Sequence, residues 1–144
     1  MIGALLDTNV VVSAFLWGGV PQQIITHLTT REGTLLSSEA LIAELRRTLA
    51  KPKLQPYILA RGTTPTAIVQ QYTKLVQLAE PAAIPPDAVR DPDDVIVLAA
   101  AVGGKATHIV SGDKDLLSVE RYAAIPILKP GDFLRVLQPD DNAE

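Results

Sequence analysis

The sequence predicts an α/β domain in which a mostly parallel central sheet lies between two layers of helices. Short apolar runs of four or five residues alternate with longer segments of helical periodicity, and such alternation favours parallel strands joined by crossover helices. The helix predicted from Pro92 to Val102 is apolar nearly all round, so it has to be buried. A chain of 144 residues is large enough for one domain with its own core.

Capping and helix-breaking residues set the first elements. Residues 2–6 predict a strand, and Asp7 with the two residues after it offers three good cap side chains. A helix is therefore expected from about Asn9 until Gly18 and Gly19 break it. Pro21 suits the first position of a second helix, which is expected to reach Thr30.

The remaining elements follow from the same signals. Ser38 is expected to cap a helix, and the three prolines of residues 80–86 restrict that segment to an edge strand, because proline lacks the amide donor. Pro52 and Pro56 mark a linking segment. The further predicted strands are 34–37, 108–111 and 124–128. The further predicted helices are 38–50, 64–78, 92–102, 114–119 and 131–137.

Composition narrows the class of protein. The chain has no cysteine, which excludes a disulfide framework and a thiolate zinc site. No apolar stretch approaches the roughly 18 residues needed to span a bilayer, and no basic region precedes an apolar run at the N-terminus. We therefore expect a cytoplasmic protein without membrane association. Residues 1–138 are expected to form the domain and residues 139–144 a disordered acidic tail.

Four acidic residues lie far apart in the chain, each at the edge of an apolar segment: Asp7, Glu44, Asp94 and Asp113. Asp7 and Asp113 follow predicted strands, and in parallel α/β folds the sites gather outside the carboxyl ends of the strands. Like charges packed together repel, so a carboxylate cluster indicates shared protons or a bound cation. The pattern therefore favours a metal site suited to phosphate chemistry.

Each of these acids also has a purely structural explanation. Asp7 and Asp113 could cap the helices that follow them. Residues 91–94 could supply an N-cap, a proline at the first helical position and two first-turn acids. Glu44 lies roughly 60° beyond the apolar stripe of its helix and could be ordinary surface. The spacing thus links Asp7 with Asp113 but leaves the place of Glu44 open.

Taken in order, the motifs around these acids resemble those of a PIN domain. They are Leu5-Leu6-Asp7-Thr8-Asn9-Val10, Ser38 followed by Glu44-Leu45, Asp91-Pro92-Asp93-Asp94 before an alanine-rich helix, and Ile109-Val110-Ser111-Gly112-Asp113-Lys114-Asp115. The resemblance runs from residue 2 to residue 137. Proteins of this family are Mg²⁺- or Mn²⁺-dependent endoribonucleases, and many bacterial members are VapC-like toxins of toxin–antitoxin pairs.

The resemblance implies roles for individual residues. The catalytic acids, which would also bind Mg²⁺ or Mn²⁺, are Asp7, Glu44, Asp94 and Asp113. The residues expected to support them are Asn9, Ser111, Asp93 and Asp115. Carboxylates without histidine or cysteine are the hard oxygen ligands that Mg²⁺ prefers, and such ions activate water towards a phosphate.

The resemblance also implies partners. We expect an RNA substrate and, for a toxin of a type II pair, a cognate antitoxin protein. A homodimer is a further expectation, and the apolar residues near Trp17 could form the surface for either protein partner: Ile24, Ile25 and Leu28.

The net charge of −3 argues at first against a nucleic-acid partner. If a metal neutralises the four acids, however, 13 basic residues face only 12 remaining acidic ones. The basic residues just after Glu44 are candidates for contacts with RNA: Arg46, Arg47, Lys51 and Lys53. Their alternative role is a solvated helix end that the helix dipole favours.

Two other functions stay open. An aspartyl-phosphate phosphatase also places an aspartate directly after a strand, but its second carboxylate, two residues further on, is here Asn9. A non-catalytic PIN module that binds RNA or protein would keep the fold without needing all four acids. The presence of all four therefore favours the ribonuclease.

Overall fold

The computed structural model describes residues 1–31 and 33–138, and it confirms an α/β fold with a mostly parallel central sheet. The tail expected at residues 139–144 lies outside the described residues. The strands are β1 (Gly3–Leu6), β2 (Thr34–Ser37), β3 (Gln77–Leu78), β4 (His108–Val110), β5 (Arg121–Tyr122) and β6 (Ile125–Leu128). The helices are α1 (Thr8–Leu16), α2 (Gly19–Thr30), α3 (Glu39–Leu49), α4 (Gln55–Ala60), α5 (Pro65–Leu75), α6 (Pro92–Gly103), α7 (Lys114–Leu117) and α8 (Pro130–Leu137).

The six strands form one sheet in the order β3-β2-β1-β4-β6-β5. All pairings are parallel except that of β5 with β6, which form an antiparallel hairpin. Strand β1 lies between β2 and β4, with Leu5 beside Leu36 on one side and Ile109 on the other. The residue that follows β1 therefore emerges near the middle of the carboxyl edge of the sheet.

Alternation along β1 separates the two halves of the core. Ala4 and Leu6 point into one apolar cluster, shared with helices α1 to α5 and α8. Leu5 points into the other, which is formed mainly by α6 and the opposite faces of β4 and β6. Helices on both faces of the sheet give the predicted three layers.

The segment after α5 differs from its prediction. The helix expected to reach Leu78 ends at Leu75, and Gln77 and Leu78 instead form β3 beside β2. The edge strand predicted at residues 80–86 is wrong. Its backbone leaves the sheet and packs on α6, where the Ala82 amide donates to the Ala99 carbonyl at 3.0 Å. The edge pairing begins before the prolines, which cannot extend it.

Besides β3, helix α4 and strand β5 were not predicted from the sequence. Helix α4 is short and contains Pro56 near its start, which suits the first helical turn. Strand β5 is joined to β6 by Ala123 and Ala124, whose φ angles of 48° and 66° are rare for residues with a side chain. The usual sequence mark of such a two-residue turn is Asn-Gly or Asp-Gly, and here it is absent.

The apolar surface proposed around Ile24, Ile25 and Leu28 is also wrong. All three side chains are buried in the core, because this face of α2 packs against α1 and α8. They are therefore not available to a dimer or to an antitoxin.

Across residues 1–31 and 33–138, no helix has the length and apolarity required to traverse a bilayer.

Gly103 tests the packing of α6 against the segment after β3. A Cβ atom on Gly103 would lie 1.9 Å from the Glu80 carbonyl oxygen and 2.8 Å from the Ala82 amide nitrogen. We expect Gly103→Ala to lower the free energy of unfolding by about 2 kcal/mol or more, because the backbone of α6 or that of residues 80–82 has to move. Urea denaturation followed by circular dichroism measures the change.

The matched control is Gly131→Ala in α8, where nothing lies within 4 Å of the added Cβ atom. Because alanine favours helix over glycine by roughly 0.5–1 kcal/mol, this variant should be neutral or more stable. Equal stability of the two variants would contradict the close approach at Gly103.

Candidate metal centre

The fold brings acids from four elements to the carboxyl edge of the sheet. Asp7 follows β1, and Asp113 lies three residues beyond the end of β4. Asp94 lies in the first turn of α6, and Glu44 lies in the middle of α3. Electrostatic repulsion reaches from Asp7 to each of the other three, which places all four near one another.

Asp7 is held by two hydrogen bonds to its carboxylate. Its Oδ1 atom accepts from the Thr8 amide at 2.8 Å, and its Oδ2 atom accepts from the Ser111 hydroxyl at 2.8 Å. Burial raises the pKa of Asp7, whereas the bonds from Ser111 and Thr8 oppose the rise and repulsion from Asp113 adds to it. Ser111 is fully buried and also accepts from the Asp113 amide at 3.0 Å.

Glu44 is fixed by Thr8, a residue that sequence reasoning treated only as a cap. The Thr8 hydroxyl, buried beneath the site, donates to Glu44 Oε1 at 2.5 Å. Burial raises the pKa of Glu44, the Thr8 bond opposes the rise, and repulsion from Asp7 adds to it. The sequence feature that could have indicated this role of Thr8 is its position directly after a strand-end aspartate. Asn9, the predicted support, is exposed instead.

Asp94 is the most buried of the four acids, with 4 % of its surface exposed. Its Oδ2 atom is buried and finds no hydrogen-bond partner among the described residues. Burial, followed by the adjacent carboxyl group of Asp113 and repulsion from Asp7, raises the pKa of Asp94 to about 7. A buried carboxylate oxygen without a donor is costly unless a proton or a cation compensates it.

The structural roles considered from the sequence are also present. Asp91 caps α6 by accepting from the Asp93 amide at 2.9 Å, and Asp113 caps α7 by accepting from the Asp115 amide at 3.2 Å. Asp91, Asp93 and Asp115 are exposed at the rim of the cluster. Capping and clustering are therefore compatible, since a strand-end acid can do both at once.

The donor set fits a hard divalent cation in its chemistry, because every candidate atom is a carboxylate or hydroxyl oxygen. The unpartnered Asp94 oxygen supports the same fit. Within the described part of the chain, however, no three acidic or histidine side chains are placed so that they could hold an ion as they stand. Binding an ion therefore requires side-chain rearrangement, consistent with carboxylates that repel one another when no cation separates them.

The basic residues predicted to contact RNA lie on and just after α3. All four side chains are exposed: Arg46, Arg47, Lys51 and Lys53. Arg47 lies one turn beyond Glu44, and its positive charge weakly opposes the rise in the pKa of that carboxyl, which burial causes.

Acids gathered at the carboxyl edge of a three-layer parallel sheet define a class of α/β proteins with a candidate cation site. The chain belongs to the PIN domain family, whose model matches residues 3–115. That span contains all four acids and the two hydroxyl donors that hold them.

Two solved structures have a similar fold. The structure of VapBC2 from Rickettsia felis bound to a DNA fragment from their promoter matches with a TM-score of 0.62 and 14% identity, over 88% of this chain and 97% of that chain. The structure of PAE2754 from Pyrobaculum aerophilum matches with a TM-score of 0.61 and 15% identity, over 96% of this chain and 90% of that chain. At these identities the likeness shows the fold. Comparison with curated protein sequences finds no match.

Substitution of Asp94 tests how far its ionised carboxylate destabilises the fold. Because its pKa is raised on folding, the folded protein holds a proton that the unfolded chain has lost between its ordinary pKa of 3.8 and about 7. Without metal, stability should therefore fall as the pH rises through that window. Asp94→Asn should flatten the fall and raise the free energy of unfolding at about pH 8 by roughly 1–3 kcal/mol.

Urea denaturation with EDTA present, at about pH 5 and about pH 8, measures both effects. Asp87→Asn changes an exposed acid outside the cluster and serves as the control. An Asp94→Asn profile that parallels the wild type would show that this carboxyl carries no repulsive cost.

Proposed function

We propose that this protein is a Mg²⁺- or Mn²⁺-dependent endoribonuclease that hydrolyses RNA phosphodiester bonds. The observation that carries the proposal is the buried, unpartnered carboxylate oxygen of Asp94, set beside Asp113 and Asp7 at the carboxyl edge of a PIN fold. A carboxylate arrangement whose ionisation is unfavourable without a cation and favourable with one supports a metal-dependent reaction.

The acidic residues and the hydroxyl donors of the chain would have different roles in this reaction. The acids that would hold the ion are Asp7, Glu44, Asp94 and Asp113. A bound divalent ion supplies Lewis-acid stabilisation of a phosphate and lowers the pKa of water. Ser111 and Thr8 would keep Asp7 and Glu44 ionised and oriented, because a hydroxyl donor favours the charged form of its acceptor.

The surroundings support an anionic polymer as substrate. Arg47 already acts on Glu44, and the neighbouring exposed bases could neutralise phosphates on either side of the cleavage position: Arg46, Lys51 and Lys53. A phosphatase remains disfavoured, because the position two residues after Asp7 holds the exposed amide Asn9. Among residues 1–31 and 33–138, no contact specifically favours a non-catalytic binding module.

The similarity to VapBC2 supports a further part of the proposal. We infer that this chain is the toxin of a type II toxin–antitoxin pair and that a cognate antitoxin binds it. Co-expression with the adjacent reading frame, followed by purification through a tag on this chain alone, tests it. Recovery of a stoichiometric complex that no longer cleaves RNA is the expected result. A homodimer also stays a prediction, for which sedimentation is the measurement.

Glu44 and Glu39 lie on the same helix. Substituting each in turn therefore distinguishes a role in the site from a general effect of charge. Glu39 is exposed, whereas Glu44 is bound to Thr8. We expect Glu44→Gln to reduce Mn²⁺-dependent cleavage of total RNA by about 100-fold or more, since even groups behind a metal ligand contribute 10–100-fold. Glu39→Gln should cleave normally. Primer extension on the products measures the rate and the positions of cleavage.

A Glu44→Gln variant with wild-type activity would remove Glu44 from the proposed site. Cleavage that continues undiminished in excess EDTA would contradict the metal dependence itself. Thermal melts of both variants establish that any loss of activity does not reflect unfolding.

A further inference from the structure

Two aromatic side chains lie against each other on the surface at the far end of α1. Trp17 is 53 % exposed and Tyr57 is 48 % exposed, and their ring centroids are 5.2 Å apart with an interplanar angle of 60°. In the other aromatic pair, Tyr72 is instead buried in the core cluster, and the partly buried Phe15 packs against it. The exposed pair, Trp17 and Tyr57, is called the aromatic platform below.

The aromatic platform rests on fixed backbone. Arg61 donates from Nε to the Leu16 carbonyl at 2.9 Å and so ties the end of α4 to the end of α1. At its start, α4 is tied to α3 by Gln55, whose amide donates to the Leu49 carbonyl at 2.8 Å. Ile58 anchors the middle of α4 in the core with 1 % exposure. Both rings are therefore presented on elements that are already in place.

The sequence segments that carry the aromatic platform are rich in basic residues. Residues 45–79 contain six lysines and arginines and no acidic residue, and residues 8–31 contain no acidic residue either. Over the whole sequence, residues 1–79 carry seven basic and four acidic residues, whereas residues 80–144 carry six and twelve. Arg61, one turn beyond Tyr57, and Lys53, one turn before it, are both exposed. The aromatic platform thus lies in the basic half of an acidic protein.

The aromatic platform is connected directly to the acid cluster by one helix. Helix α1 begins immediately after Asp7 and ends immediately before Trp17, nine residues later. At 1.5 Å per residue this is about 13 Å. An extended single strand of RNA with one phosphate at the acids would therefore reach Trp17 within a few nucleotides.

We propose that Trp17 and Tyr57 form a stacking platform for the bases of single-stranded RNA, a few nucleotides from the bond that is cut. Base stacking on aromatic rings, combined with cations that follow the backbone, is how single strands are bound without sequence readout. The exposed cations Lys53 and Arg61, and the lack of acids in residues 8–31 and 45–79, favour RNA over a protein partner as the occupant. The proposal rests on the ribonuclease function proposed above.

Trp17 is the single tryptophan in the sequence, so its emission reports on the aromatic platform directly. The probe is a fluorescein-labelled single-stranded RNA of about twelve nucleotides, with a duplex of the same sequence for comparison. Binding is measured by anisotropy in EDTA, where the proposed cleavage cannot occur. In parallel, Trp17 emission is followed with unlabelled RNA. We expect quenching of that emission, and a roughly ten-fold weaker affinity in Trp17→Ala and in Tyr57→Ala.

Trp17→Phe should recover most of the affinity, because it keeps a ring at the position. Leu59→Ala, on the same helix and 75 % exposed, is the matched control and should bind as the wild type does. The duplex should bind more weakly than the single strand and show little difference among the variants, since its bases are already stacked.

Three results would overturn the proposal. Unchanged single-strand affinity in both alanine variants would do so, and so would unquenched Trp17 emission at saturating RNA. A shift from dimer to monomer in either variant on sedimentation, without loss of RNA affinity, would assign the surface to a second copy of the chain. In each case metal-dependent cleavage by the wild type would leave the proposed function intact. A wild type that neither binds nor cleaves RNA would refute both.

Discussion

The cost of ionising buried and partly buried carboxylates that lie close to one another is the constraint on which the rest of this site depends. Asp7 and Asp113 come to one edge of the sheet because parallel strands end there, and the first turn of α6 adds Asp94. Burial and the neighbouring carboxylates raise the cost of ionising Asp7 and Asp94. The molecule offsets part of this cost with two hydroxyl donors, Ser111 on Asp7 and Thr8 on Glu44. It leaves the Asp94 oxygen without a donor, so part of the cost remains for a cation to remove.

Helix α1 links the acid cluster to the aromatic platform. Its first residue, Thr8, supplies a backbone amide to Asp7 and a hydroxyl to Glu44, so one residue connects acids from two elements. Its other end presents Trp17 beside Tyr57. Because the apolar face of α1 is buried in the core between these ends, neither end can move without disturbing the packing of the domain.

Much of this arrangement could be predicted from the sequence, because apolar runs that end in an aspartate locate both a strand and its carboxyl end. Asp7 and Asp113 followed from that rule alone. Glu44 did not, since its angle on the helix gives no sign of the threonine that binds it from another element. The Ala123–Ala124 turn was missed because its backbone conformation is imposed by the hairpin and not by its residues. Contacts between distant segments are what local patterns leave out.

The order of the strands in the sheet has a consequence for the synthesis of the protein. Asp7 is among the first residues made, yet the hydroxyl that holds it, on Ser111, is 104 positions later in the chain. Contacts of such long sequence separation form late and slow the folding of a domain. A nascent or truncated chain that ends before β4 therefore carries Asp7 with β2 but without β4, the serine donor and Asp113. The acid cluster is therefore assembled only late in the synthesis of the domain.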